Sequence, residues 1–238
     1  MIRKTTANRA PLFVSFSGID GAGKSTQIDS LSARLNEVGV RVLLVTFWND
    51  VATLTRIREA TGHTLFRGDK GIGTPARPVN RQDKNVQSWY MTTVRFCLYF
   101  LDAISLRRVA ARARRSDAEV VIFDRYLYDE LANLSLGNPV TRAYIRILLL
   151  FIPQPDIGYL LDADPVQARA RKPEYPLAFL HRSRACYLAL SKLAGMTIIA
   201  PQSVQEVERQ ILQQVLRTLS PDALRHRPAE SLALGSAP

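Results

Sequence analysis

The sequence predicts an α/β fold in three layers, a five-stranded parallel sheet flanked by helices, with a short lid. Three observations predict it. Short apolar runs alternate with longer stretches of helical periodicity along the 238 residues. The segments between the runs are long enough for the crossovers that parallel strands need. A glycine cluster, "GIDGAGK", lies where the first apolar run gives way to the first helical one.

The elements follow in order. "LFVSFS" (12–17) reads as a buried strand. From Ser25 on, Ile28, Leu31, Leu35 and Val38 recur at helical spacing, and Gly39 stops the helix. "VRVLLVTF" (40–47) is a second strand, rich in β-branched residues. Residues 62–84, crowded with glycine and proline, read as a long loop, and loops of that length tend to be functional or disordered. A long helix is expected over about 86–114, and a third strand at "VVIFD" (120–124). Helices are expected near 126–136 and 140–151, and a fourth strand at "IGYLLDA" (157–163). A charged loop, "RARKPEYP", leads to a helix near 177–194, a fifth strand "MTIIA" (196–200) and a last helix over 203–219. No repeat or composition break divides the chain. Residues 11–219 are therefore expected to form one domain, with flexible segments at 1–10 and 220–238.

Composition narrows the classes. No run of about 18 apolar residues is present, so a spanning helix is not expected. "MIRKTTANRAP" lacks the apolar core of a secretion signal. The two cysteines, Cys97 and Cys186, lie in apolar helical runs and read as buried free thiols of a reducing compartment, which places the chain in the cytoplasm. The net charge of +11 suits an anionic partner, which composition alone cannot specify. The arginines of "LRRVAARARRSD" suit a solvated helix face equally well.

The glycine cluster carries the chemistry. Gly18-x-x-x-x-Gly23-Lys24-Ser25, between a strand and a helix, is the phosphate-loop pattern. It specifies a three-layer P-loop NTPase fold. Gly18, Gly21, Ala22, Gly23, Lys24, Ser25 and Thr26 are the candidate ATP-binding residues. Glycines let successive N–H groups turn inward around an anion, and the helix N-terminus adds partial positive charge. Lys24 reaches the outer phosphates, while the Ser25 hydroxyl can ligate Mg²⁺. Asp124 closes a buried strand, where such sheets place the acid that holds Mg²⁺ through water. Arg125 follows it and suits a second anionic group. Arg169 and Arg171, with Lys172, lie in the expected lid, about 169–176, and can supply the cation that a transferred phosphoryl group needs beyond Lys24.

These residues together resemble the thymidylate kinase family of nucleoside monophosphate kinases, over about 11–215. "GIDGAGKST" is similar to that family's phosphate loop, including Asp20, and the resemblance implies that Asp20 meets the acceptor's sugar hydroxyl. "DRY" at Asp124, Arg125 and Tyr126 is similar to the family signature, which implies that Arg125 holds the acceptor phosphate. "LDADPVQARARKPEYP" resembles the fourth strand and lid. With Gly21 and Ala22 in the loop, the chain resembles the branch whose catalytic arginine lies in the lid. Counting back from "DRY" puts Tyr99 at the position that stacks on the acceptor base, but Ala103 where the family has an arginine, leaving Arg95 or Arg107 as substitutes. "FWND" replaces the family's arginine-bearing turn after the second strand, and Asp129 stands where its signature has serine, although Ala132 matches. The long loop, with Arg67, Lys70, Arg77, Arg81 and Lys84, is a candidate for new acceptor contacts.

The expected reaction is transfer of the ATP γ-phosphoryl group to a nucleoside monophosphate, foremost dTMP, with Mg²⁺. The resemblance also implies a homodimer. The altered acceptor residues leave open a kinase of another phosphate-bearing or hydroxyl metabolite, such as a sugar. The charge leaves open a nucleotide-binding regulator associated with nucleic acid, which the intact donor motif disfavours.

Overall fold

The structure, a computed structural model, describes residues 10–53 and 89–219, without the side chains of 89–91. The expectations for 1–9, for the loop 62–84 and for the tail from Ser220 lie outside the described residues.

Five strands form one parallel sheet: β1 (Leu12–Ser17), β2 (Val42–Thr46), β3 (Val120–Asp124), β4 (Ile157–Leu161) and β5 (Thr197–Ile199), in the order β2-β3-β1-β4-β5. Among the described residues, eight helical segments connect or flank them. They are α1 (Lys24–Glu37), a one-turn π-helix (Phe47–Val51), α2 (Trp89–Ala113), α3 (Leu127–Leu131), α4 (Pro139–Phe151), α5 (Pro165–Arg171), α6 (Leu177–Ala194) and α7 (Val204–Thr218).

Alternation along the strands makes the three layers. Phe13, Val45, Phe123 and Leu160 face one side and pack with Leu106, Leu131, Ile145, Tyr187 and Leu190 from α2, α3, α4 and α6. Val14, Phe16, Ile122, Tyr159 and Leu161 face the other and pack with Ile28, Leu31 and Leu35 of α1 and Val207, Ile211 and Val215 of α7. Both faces are covered, as a parallel sheet requires. β1 is central, with Phe16 in register with Asp124 of β3 and Ser17 with Leu160 of β4. The carboxyl ends of β1, β3 and β4 therefore open onto the same edge. There the connections after β1 and β3 leave the sheet on opposite faces, the usual place for a ligand crevice.

Helix ends follow their signals. Gly39, at φ 76°, closes α1, its N–H donating to Asn36 O. Asn138 caps α4 ahead of Pro139. Three expectations need correction. The helix expected over 126–136 ends at Leu131. The "charged loop" begins as a helix, α5, capped by the Asp164 carboxylate with Pro165 at its first turn. Cys97 is exposed and Cys186 only partly covered, so neither is a buried thiol. The arginines of the α2 C-terminus do form a solvated face: Arg108, Arg112, Arg114 and Arg115 are all exposed. No helix of the described residues is long and apolar enough to cross a membrane.

Candidate active site

The loop after β1 is shaped by three left-handed glycines, Gly18, Gly21 and Gly23, at φ 145°, 85° and 87°. Two of them are also pinned by neighbours. A Cβ at Gly18 would lie 2.6 Å from Leu161 O, and one at Gly21 only 2.3 Å from Ala168 O. Gly21 thus seats the phosphate loop against the backbone of α5. Gly21→Ala should lower the unfolding free energy by about 2–5 kcal/mol, overpacking adding about 1–3 kcal/mol to the strain of a left-handed alanine, measured by denaturant titration. Gly23→Ala, with nothing within 4 Å of the added carbon, should cost only the conformational strain, about 1–2 kcal/mol.

Lys24 opens α1 and folds back into the loop, its Nζ donating to Gly18 O at 2.7 Å and Ile19 O at 2.9 Å. A cavity of about 450 Å³ lies over this loop. Its wall takes in Asp20 to Gln27, Asp124, Arg125, Asp162, Asp164, Gln167, Arg171 and Lys172, with residues 199–202 from the end of β5. All seven expected ATP-binding residues except Gly18 line it. Ser25 and Asp124, the expected metal residues, line it together, one hydroxyl and one carboxylate. Among the described residues no cluster of three or more His, Cys, Asp or Glu forms a metal cage. Two hard oxygen donors beside a phosphate loop do fit Mg²⁺, which completes its shell with water and substrate phosphates.

Arg125 is the one non-glycine residue of the described chain in the left-handed region, at φ 68°. Such a backbone costs about 1–2 kcal/mol and concentrates at functional positions. The turn aims the guanidinium between two carboxylates: Nη2 donates to Asp20 Oδ1 at 2.5 Å, and Nη1 lies 3.5 Å from Asp129 Oδ1. Burial alone would lower the pKa of Arg125, but Asp20 and then Asp129 outweigh it, so the group stays cationic.

The two lid arginines separate. Arg171 is exposed and lines the cavity; Arg169 is only half-buried and does not line it. Lys172 lines it too and pairs with the buried Glu174 at 3.2 Å. On α2, Tyr99 is buried beneath α3, close to Glu130 and Asn133, with Arg95 one turn away. Burial first, and then the Glu130 charge, raises its pKa. Ala103 is fully buried. Arg107, a candidate to replace the missing arginine, instead donates to Phe151 O at 2.5 Å and lies over the Phe151 ring, so it is committed to the end of α4. The "FWND" segment forms the π-helical turn, closed by Asp50 accepting from Thr46 N–H. Just beyond it, Thr53 is tied to Asp102 of α2 through its N–H and hydroxyl, at 2.8 and 2.9 Å.

Sequence reading missed three contributors. Asp162 is gripped by Arg184 of α6 through two bonds of 2.6 and 2.7 Å, which fixes the end of β4 at the cavity wall. The segment 200–202 forms part of that wall. Asp129 appeared in the sequence only as a departure from a pattern; in the structure it is a buried hub.

A phosphate loop on the central strand, an acid and an arginine at the end of the next strand and a basic lid helix define a P-loop phosphotransferase. No family model matches the chain. A thymidylate kinase of Bifidobacterium longum (strain DJO10A) is 30% identical over 209 residues, which cover 82% of this chain and 93% of that one. A probable thymidylate kinase of Pyrobaculum aerophilum is 28% identical over 216 residues, 87% of this chain and 97% of that one. The crystal structure of thymidylate kinase from Ehrlichia chaffeensis superposes with a TM-score of 0.57 at 19% identity, covering 87% of this chain and all of that one. The last similarity speaks for the fold alone. The chain belongs to the thymidylate kinase family, and it is a nucleotide kinase rather than a sugar kinase or a nucleic-acid-associated regulator.

Proposed function

We propose that the protein transfers the γ-phosphoryl group of ATP to dTMP, giving dTDP. The observation that carries this reading is the juxtaposition, on one cavity, of the phosphate loop and the Asp20–Arg125 pair. One holds a donor's phosphates and the other an acceptor's. The backbone of residues 18–25 with Lys24 grips the triphosphate. Ser25, with Asp124 through water, would hold Mg²⁺, which would supply positive charge against the donor's phosphates. Arg125 holds the acceptor phosphate, and Arg171 reaches the transferred group from the lid. The protein has little bond-making chemistry to do; positioning and charge stabilisation carry the reaction.

The test is a coupled assay of ADP release with ATP and Mg²⁺ against dTMP, the other nucleoside monophosphates and a set of sugars. Turnover highest with dTMP supports the reading; turnover only with another acceptor overturns it. A second test bears on Arg125. Arg125→Lys keeps the charge but loses the planar fork. It should lower kcat/KM for dTMP by about a hundredfold, the loss of one charge-assisted hydrogen bond, while the KM for ATP changes little. Equal losses for both substrates would argue against an acceptor role.

A further inference from the structure

Arg125 has two carboxylate partners of different character. Asp20 belongs to the phosphate loop between two left-handed glycines and lines the cavity. Asp129 is buried, its side chain only 5% exposed, and is not part of the cavity wall. Four groups from three places converge on it. Its Oδ2 accepts from Ser17 Oγ at 2.7 Å and from Tyr126 N–H at 3.1 Å, and its Oδ1 accepts from Tyr187 Oη at 2.8 Å and faces Arg125 Nη1 at 3.5 Å. Ser17 is the last residue of β1 before the phosphate loop, Tyr126 adjoins Arg125, and Tyr187 comes from α6. Tyr187 is itself buried, and burial first, then the Asp129 charge, raises its pKa, so it remains a hydrogen-bond donor. A carboxylate held by β1, by α6 and by the N-cap of its own helix cannot move without disturbing all three. Asp20 instead lines the cavity, where an acceptor's phosphate would compete with it for the guanidinium.

We propose that Asp129 is a positioning residue for acceptor recognition: its buried carboxylate keeps Arg125 in place while Asp20 yields its position on the guanidinium to the acceptor's phosphate. This deepens the dTMP reading and rests on it. Without Asp129 the guanidinium keeps Asp20 but loses the support that prevents it from following Asp20 out of register. An incoming phosphate dianion then finds its anchor misplaced. The simpler electrostatic expectation has the opposite sign: if Asp129 merely offset the charge of Arg125, removing it would tighten phosphate binding.

The experiment is steady-state kinetics of wild type, Asp129→Asn and Tyr187→Phe, with dTMP and ATP varied separately and thermal unfolding measured alongside. Asp129→Asn should raise the KM for dTMP by about 10- to 100-fold, as a misplaced anchoring group does, with the KM for ATP little changed. Tyr187→Phe, which removes a single oxygen and loosens the same carboxylate, should raise the KM for dTMP by a few-fold and spare the KM for ATP. If Asp129→Asn does not fold, Tyr187→Phe decides. An unchanged or lowered KM for dTMP, or equal changes for both substrates, overturns the proposal and leaves a purely structural hub. A wild type inert toward dTMP strikes the functional reading itself, and this inference with it; an active wild type with indifferent variants strikes only the inference.

Discussion

Lys24→Met should abolish turnover in a protein that still folds. Lys24 is only 7% exposed, and its ammonium donates to the carbonyls of Gly18 and Ile19. It is the loop's cation, held by the loop's own oxygens at the place where the outer phosphates are expected. Binding a triphosphate exchanges those carbonyls for phosphate oxygens, and the charge growing on the transferred group strengthens the interaction in the transition state. Methionine keeps the length and the apolar stem but removes all of the charge. The expected fall in kcat is about 10³-fold or more, the scale at which a preorganised electrostatic contact acts. The fold loses the bonds to Gly18 O and Ile19 O, each charge-assisted and worth about 1.5–3 kcal/mol, but it also sheds the desolvation cost of a buried ammonium, so a single cooperative melting transition should remain. Coupled kinase assay and differential scanning calorimetry on the same preparation check both halves. Near-normal turnover would end the kinase mechanism as drawn.

The contrast between what could and could not be read from the sequence has physical causes. Strands and the phosphate loop were legible because their signals are local. β-branched runs, a glycine pattern at fixed spacing and Gly39 after a periodic helix each act within a few residues. The same reasoning placed a helix near 140–151 but overlooked the helix start at Asp164-Pro165. The run after Pro165 is charged and only Pro165 and Ala168 are buried, so α5 has no apolar stripe to announce it. What stabilises it is a cap and the close approach of Gly21, and the second of these is tertiary. Cys97 misled through its apolar neighbours, because α2 presents part of an apolar-looking surface away from the sheet; Phe100 and Leu101 are also exposed. Arg107 was on a plausible helix face, but its partner, Phe151, lies at the end of another helix, 44 residues on. Asp129 is the extreme case. Its hydroxyl partners are 112 and 58 residues away in sequence, so no local rule could show why a carboxylate replaces a smaller side chain there. On the acceptor side, the sequence marked the altered positions without supplying the packing that explains them.

The lid arginines give the second large effect, and the helix around them decides which one carries it. Arg169 and Arg171 both belong to the last turn of α5, where loop geometry would have let either reach the site. In a helix, residues two apart point to nearly opposite faces. One of the pair can face the cavity only if the other does not. Gln167, which lines the cavity, is four residues before Arg171 and shares its face; the Arg171 Nε donates back to Gln167 O at 3.3 Å. The contact of Ala168 with Gly21 holds this face of the helix toward the phosphate loop. Arg171→Ala should therefore lower kcat by about 10³-fold, the smaller end of the range for an arginine that stabilises a transferred phosphoryl group, with less change in the KM for either substrate. Arg169→Ala should leave kcat within a few-fold of wild type. Both side chains are at least partly solvated, so both variants should melt near the wild-type temperature. Rapid-quench single-turnover measurements would place the Arg171→Ala loss in the chemical step rather than in product release. If Arg169→Ala proved the damaging change instead, α5 would have to rotate or unwind before catalysis. The seat of Gly21 on Ala168 would then belong to a resting arrangement rather than to the reactive one.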